Sequence, residues 1–464
     1  MSLATLAPLS RSLRAKSRSV GQALRSVSRL RSIQTGFGVA VLAASTPLAA
    51  QTVAITGGTV VIGDGSAPIQ GGTVVIRNGR VVAAGSGVAV PAGAQTVDAT
   101  GKWVTPGIVA GFTRLGIIEV DGVAATNDAS GAQTPWSAAI DIVPAVNPRA
   151  TPIAINRAGG VTRAIVAPAA EATIFAGQGA VIDTGADMDA VTRRQAFQFV
   201  EFGETGRSEG GGSRPALFLQ FRAALDAAQR YARNPAAYDG DSKDSILPRA
   251  DAAALAPVVS GEQRLLVHVE RASDILNVLA LKREFPGLKL VLVGASEGWT
   301  VAPQIVAAGV PVIASALNDL PSSFETLAAT QSNIGRMRAA GVEVSIGTID
   351  DDDPRMAIRS PQYAGNLVAL TRLPGATGLD WNQAFAAISS GPAEAIGLGG
   401  EIGSLRPGRR GDVVLWSGDP LELSSAAEAV WIDGVAQPME TRQTKLRDRY
   451  ATPTEGALPK AYER

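Results

Sequence analysis

Hydrophobic and polar positions follow two different patterns along this chain. From Thr52 to Gly85, β-branched runs alternate with GG, GDG and NG in TVAITGGTVVIGDGSAPIQGGTVVIRNGRVVAAG, which predicts short strands joined by tight turns. GRRGDVVLWSGDP, from Gly408 to Pro420, and AVWIDGVAQP, from Ala429 to Pro438, repeat the pattern near the other end. These segments predict one small β-sandwich domain built from residues 51–105 and 398–437, with Val53–Ile62 buried against Val413–Trp416. In between, over residues 106–397, apolar runs (TRAIVAP, RLLVHVE, LKLVLVG, VPVIAS, VEVSIGT) alternate with helical stretches (ALFLQFRAALDAAQRYAR, DILNVLALKREF, SFETLAATQSNIGRMRAAG). Strands alternating with helices imply βα units and a parallel sheet. The stretch has the size of a closed eight-stranded α/β barrel, with a doubly wound open sheet as the alternative. Residues 438–464 read as a tail.

The first fifty residues follow neither pattern. Arg11, Arg14, Lys16, Arg18, Arg25, Arg29 and Arg31 precede the first acidic residue, Asp64, and an apolar run extends from Gly36 to Ala50. A basic region, a short apolar region and small residues before a cut near Ala50 and Gln51 are the marks of a signal peptide, giving a periplasmic or secreted protein. A mitochondrial presequence is the competing reading, since the segment is rich in Ser and Arg. The apolar run is too short for a permanent membrane anchor, so none is expected once the leader is removed.

Composition narrows the chemistry. Of 464 residues, 46% are apolar and 18% charged, enough to bury a large core. Lys+Arg and Asp+Glu are 42 each, so no overall field would draw the chain to nucleic acid. There is no cysteine and a single histidine, His268, which removes thiolate catalysis and sulfur-ligated zinc. One imidazole cannot build the usual zinc-type centre that activates water. No cofactor is expected; any metal would sit among carboxylates and be a weakly held Mg, Ca or Mn ion. His268 and Glu270 alternate onto one face of a strand, either in a barrel lumen or as an ordinary buried hydrogen-bonded pair. Asp350–Asp353 read as a solvated acidic loop or a cation or acid–base site, and Gly203–Pro215 as a mobile loop. Trp136, Trp299 and Trp381 are packing residues or pocket walls. No Ser-His-Asp order, P-loop or Rossmann fingerprint is present.

The opening strands followed by VDATGKWVTPGIVAGFTRLG, together with GPAEAIGLGGEIGSLRPGRRGDVVLWSGDPLE from Gly391 to Glu422, resemble the amidohydrolase superfamily, the imidazolonepropionase-like and dihydroorotase-like metal-dependent hydrolases. The resemblance covers about residues 53–437 and implies a TIM-like (β/α)8 barrel inserted in the small β domain. It implies metal-binding histidines where this chain has Phe112, Arg114 and Gly294, and an aspartate where it has Ala110. LLVHVERASDI resembles a family stretch on a middle strand that places His268 and Glu270 at ligand positions, and the water-deprotonating aspartate corresponds to Asp350. The expectations are therefore His268 and Asp350 as catalytic candidates, Arg114, Glu270 and Glu297 as substrate-binding candidates, and no metal ligand set. Phe112 and Arg114 are expected at the C-terminal mouth of the first barrel strand. Two functions follow: a hydrolase of carbon–nitrogen bonds with a rebuilt site, or a non-catalytic barrel that binds a small molecule, a peptide or a partner protein. The sequence assigns no substrate and no oligomeric state.

Overall fold

The β-branched runs from the two chain ends meet in one sheet. The computed structural model describes residues 52–131, 133–240, 245–316, 318–349 and 353–451; the expected leader lies outside them. The terminal sheet contains β1 (Thr52–Val60), β2 (Ile69–Arg77), β3 (Arg80–Gly85), β4 (Gln95–Asp98) and β5 (Trp103–Pro106) from the first end. The barrel strands are β6 (Ile108–Thr113), β7 (Val161–Val166), β8 (Phe175–Asp183), β9 (Val191–Glu201), β10 (Arg264–Val269), β11 (Lys289–Gly294), β12 (Val312–Ala314) and β13 (Val344–Ile346). The chain then returns to the terminal sheet with β14 (Val413–Trp416), β15 (Ala427–Ile432) and β16 (Val435–Ala436).

The terminal domain is one continuous sheet, ordered β16-β15-β14-β5-β1-β2-β3, with β4 also paired to β1. β1 serves two partners because Gly57, at φ +80, breaks it: Val53–Thr56 pair with β4 and Thr59–Val60 with β5. β5 then bridges to β14, so Val53, Ile55, Val60, Val413 and Leu415 share one core. Asn78-Gly79 and Asp433-Gly434 all have positive φ, as two-residue turns between twisted strands require.

The barrel sheet runs β6 to β13 in chain order. Its strands are apolar on both faces, as strands covered by helices outside and a filled lumen inside must be. Val109, Ile165, Phe197, Phe199, Leu266, Val291, Val293 and Ile313 pack within the lumen. The ends meet where the Thr348 N–H donates to the Phe112 carbonyl (3.1 Å), and β6 passes β13 so closely that a Cβ on Gly111 would lie 2.2 Å from the Ile346 carbonyl oxygen. One strand departs from the (β/α)8 expectation: β8 is antiparallel to both neighbours. The connections at 167–174 and 184–190 are too short for a helical crossover, which takes about a dozen residues.

Outside lie α1 (Thr151–Ala158), α2 (Gly203–Glu209), α3 (Arg214–Arg233), α4 (Arg249–Val259) and α5 (Ala272–Glu284), followed by shorter helices. The expected mobile loop 203–215 is thus largely α2 and the start of α3, whose first turn is capped by the Ser213 hydroxyl. The expected helix from Ser323 reduces to Asn333–Ala339, because Thr326 turns the preceding chain by accepting the Ser322 and Ser323 amides. The tail carries a helix, Arg442–Ala451. Among the described residues, no helix is long and apolar enough to cross a membrane.

Barrel and terminal sheet are joined by a buried cation. Arg163 on β7 donates to Asp412 through Nε (2.7 Å) and Nη2 (2.9 Å), to Asp433 (2.8 Å), to Asp183 (3.2 Å) and to the Thr192 hydroxyl (2.6 Å). Burial alone would lower its pKa, but Asp412, Asp433 and Asp183 outweigh that and raise it. Burial pushes Asp183 up to about 6 in spite of the arginine. Arg163→Ala would strand these carboxylates and is expected to cost about 3–5 kcal/mol in urea unfolding. Arg193→Ala, which removes the exposed pair with Glu401, should cost less than about 1 kcal/mol.

Candidate active site

Alternation along β9 and β10 brings the sole histidine and a carboxylate together at the C-terminal end of the barrel. Phe197, Phe199 and Leu266 point into the lumen, and the same parity directs Glu201 and His268 inward. The register sets Glu201 beside His268, and Nδ1 of the imidazole lies 2.5 Å from Glu201 Oε1. Nε2 lies 2.9 Å from Oε1 of Glu270, the residue that follows β10. The other Glu270 oxygen accepts the Ser296 N–H at 2.7 Å. Burial would lower the His268 pKa, but Glu201 and Glu270 more than offset this and hold it well above its usual range. Each ring nitrogen of His268 thus faces a carboxylate oxygen.

Gly294 explains why Glu270 can occupy this place. A Cβ there would lie 2.1 Å from Glu270 Oε1, so the carboxylate fills the space that a side chain at 294 would need. Histidine at this position, as the resemblance implies for active relatives, and Glu270 in its present place exclude each other.

A third carboxylate, which the sequence reading did not single out, stands nearby. Glu325 accepts the Glu204 N–H at 2.6 Å and lies so close to Gly203 that a Cβ there would be 2.5 Å from Oε2. Arg214 approaches it to 3.6 Å while bonding Asp274 at 2.6 Å, and Arg271 takes the other Asp274 oxygen at 3.0 Å. Burial, assisted by Glu204 and Glu270, raises the Glu325 pKa to about 7 against the opposing pull of the Glu204 amide and His268. No spacing in the sequence links positions 201, 268 and 325; strand register joins the first two, and the chain after β12 brings Glu325 back to Gly203 and Glu204.

The remaining candidates fall as follows. Phe112 and Arg114 lie at the C-terminal end of β6, where the Arg114 guanidinium sits 5.0 Å from the Phe112 ring centroid and 5.8 Å from that of Phe199. Arg114 also donates to the Ala167 carbonyl at 2.7 Å. The oxygens of Glu297, expected to bind substrate, accept the Ala272 N–H at the start of α5 (2.9 Å) and the Ala328 N–H (3.0 Å). Asp350 lies outside the described residues, and Asp353 is paired with Arg355 at 2.5 Å. Trp299 stacks under Arg336 and Trp381 against Trp103 and Phe385, so both pack; Trp136 is half exposed.

In this arrangement both ring nitrogens of His268 are already taken by carboxylates, and neither is turned to a separate ligand. When the ring carries both protons it has no lone pair to offer a cation. Among the described residues, no three His, Cys, Asp or Glu side chains are grouped to hold a metal ion.

The profile of the amidohydrolase family matches residues 300–436. The chain is 25% identical over 383 residues to amidohydrolase tasK of Hapsidospora irregularis, covering 75% of this chain and 38% of that one. It is 30% identical over 151 residues to an imidazolonepropionase of Maricaulis maris, covering 32% and 34%. The matches thus span little more than a third of these curated relatives' length. An amidohydrolase from Thermotoga maritima superposes with a TM-score of 0.72 at 24% identity, over 83% of this chain and 99% of that one. Molinate hydrolase superposes with a TM-score of 0.52 at 18% identity, over 88% and 98%. These structural likenesses concern the fold.

Gly294→Ala should expel the Glu270 carboxylate and cost about 1–3 kcal/mol. The proton on His268 stabilises the fold fully below the unfolded pKa of about 6.5, and this contribution is lost as pH rises through the higher folded value. Urea unfolding of wild type and Glu270→Gln across this range should therefore show the largest stability difference at the acid end and a shrinking one above it.

Proposed function

Because the chain belongs to the amidohydrolase superfamily, we propose that it keeps that family's barrel and its class of ligand, a small molecule with an amide-type carbon–nitrogen bond, but not metal-activated hydrolysis. One observation carries the reading: both nitrogens of the only histidine are bound to carboxylates, which favours a protonated ring between Glu201 and Glu270. Water activation near neutral pH by a metal needs several protein ligands around the ion, usually imidazoles. The imidazolium instead neutralises the carboxylates without polarising water. In this reading the barrel acts as a binding protein, and Arg114 at the mouth of β6 is the cation that meets a ligand carbonyl or carboxylate.

A second reading rests on Glu325, whose pKa of about 7 suits a general base. In that case Glu325 takes the proton of an attacking water while the imidazolium and Arg114 stabilise the developing oxyanion. His268 itself, donating from both nitrogens, is not the base. The basic and apolar leader supports export to the periplasm or the medium as part of the proposal.

Metal analysis of the purified protein together with assays on cyclic amides and dipeptides tests both readings. The binding reading expects substoichiometric metal and no turnover above the uncatalysed rate. Metal-free turnover abolished by Glu325→Gln, with the fold retained, would favour the second reading. Tight stoichiometric zinc with chelator-sensitive turnover would refute both.

A further inference from the structure

A cationic cleft lies outside the barrel, where α1 meets the helix of the tail. Its volume is about 360 Å³, and Arg149, Thr151, Ala154, Arg157, Arg442 and Lys445 are among the residues that line it. Thr151, Ala154 and Arg157 follow one another at intervals of three along α1, each neighbouring the next, as do Arg442 and Lys445 in the first turn of Arg442–Ala451. Both helices therefore turn residues of their N-terminal ends to the same space. Neither first turn contains an acidic residue, and no side chain caps α1. Cations are disfavoured at the positive end of a helix dipole, yet Arg442 and Lys445 stand in one such first turn and Arg149 immediately precedes the other. Among the described residues Glu440 is the only carboxylate of the lining, and Lys445 takes it at 3.1 Å.

Arg157 distinguishes the cleft from a patch of surface charge. The residue is 5% exposed, and two carbonyls fix its guanidinium: Nε donates to Pro438 at 3.1 Å and Nη1 to Thr184 at 2.6 Å. Nη2 has no partner among the described residues. Burial lowers the Arg157 pKa, and no carboxylate opposes it. Arg163, also buried, is held by three aspartates instead. A buried charge without a counter-charge is costly. Arg149 and Arg442 are exposed, and neither side chain makes a hydrogen bond or ion pair with a described residue. The charge this cleft lacks is therefore negative. Its donors come from α1, from the loop before it and from the tail helix, so they surround a ligand rather than share one plane, which suits a tetrahedral oxyanion better than a flat carboxylate. A phosphate group meets this need, because its oxygens can take guanidinium N–H groups and the positive ends of helices together.

We propose that this cleft binds a phosphate monoester group, carried by a small soluble molecule or by a lipid headgroup, among Arg149, Arg157 and Arg442 at the first turn of α1. The cleft lies outside the barrel and uses none of the residues around His268, so it stands independently of the function proposed above.

Calorimetry and thermal unfolding of the untagged full-length protein with glycerol phosphate and acetate at matched ionic strength, together with flotation on phosphatidylcholine vesicles with and without phosphatidic acid, test the proposal. Saturable one-to-one binding of glycerol phosphate with a raised melting temperature marks a soluble ester as the occupant, and recruitment only to vesicles that carry phosphatidic acid marks a headgroup; either supports the site. Binding should weaken about tenfold or more when Arg149→Gln and Arg442→Gln are combined. The ligand-free melting temperature of that variant should be unchanged or higher, because two cations leave the positive ends of helices. Arg157→Gln should abolish binding; should it fail to fold, the variant altered only at the exposed Arg149 and Arg442 carries the test. Combining Arg230→Gln with Arg233→Gln removes the same charge from α3, outside the cleft, and should leave binding unchanged. Equal weakening by that control shows a general field rather than a site and overturns the proposal. It is overturned too if neither ligand binds, if binding survives intact in the folded cleft variant, or if acetate binds as tightly as glycerol phosphate.

Discussion

The His268 ring is bound to Glu201 across the β9–β10 pair and to Glu270 at the end of its own strand, and Glu270 in turn takes the Ser296 amide beyond β11. Three consecutive parallel strands are thereby tied at their C-terminal ends by one proton-rich ring. Breaking such a buried pair by removing one partner is costly, because the other charge remains. The small residue at 294 follows from this arrangement, since Glu270 fills the space beside it.

The molecule uses the same solution at its second critical point. Arg163 is surrounded by Asp183, Asp412 and Asp433, and this cluster fastens β7 to the turns flanking β14 and β15. The two clusters differ in what they can do. Arginine is always charged, so the joint between barrel and terminal sheet persists across ordinary pH. Histidine can lose its proton, so the charge in the barrel mouth depends on pH and on the carboxylates around it.

Local patterns made much of the scaffold legible. The NG and DG turns, the β-branched runs at both ends and the apolar strands β7, β10, β11, β12 and β13 could all be read from residue order, since each depends on neighbours in the chain. β8 and β9 escaped because VTRRQAFQFVE mixes charges into a strand whose exposed half lies beyond the sheet's cover. The helix expected from Ser323 failed for the opposite reason: helix-forming residues were overridden by side-chain bonds to Thr326. At the site, His268 and Glu270 were visible as an alternating pair. Glu201 and Glu325 were not, because strand register and loop return bring them in from distant positions. Both oxygens of Glu297 serve backbone amides that no local pattern announces.

Since the chain has only one histidine, its ring nitrogens can be observed without assignment. Nitrogen NMR of untagged, histidine-labelled protein, titrated from acid to alkaline pH, is the most direct test of an imidazolium bound between Glu201 and Glu270. Both nitrogens should remain protonated well above the ordinary midpoint of about 6.5, with no change on adding zinc, and Glu270→Gln should move the midpoint down. A neutral ring near pH 7 with one bare nitrogen, or a nitrogen that shifts as zinc binds, would contradict it.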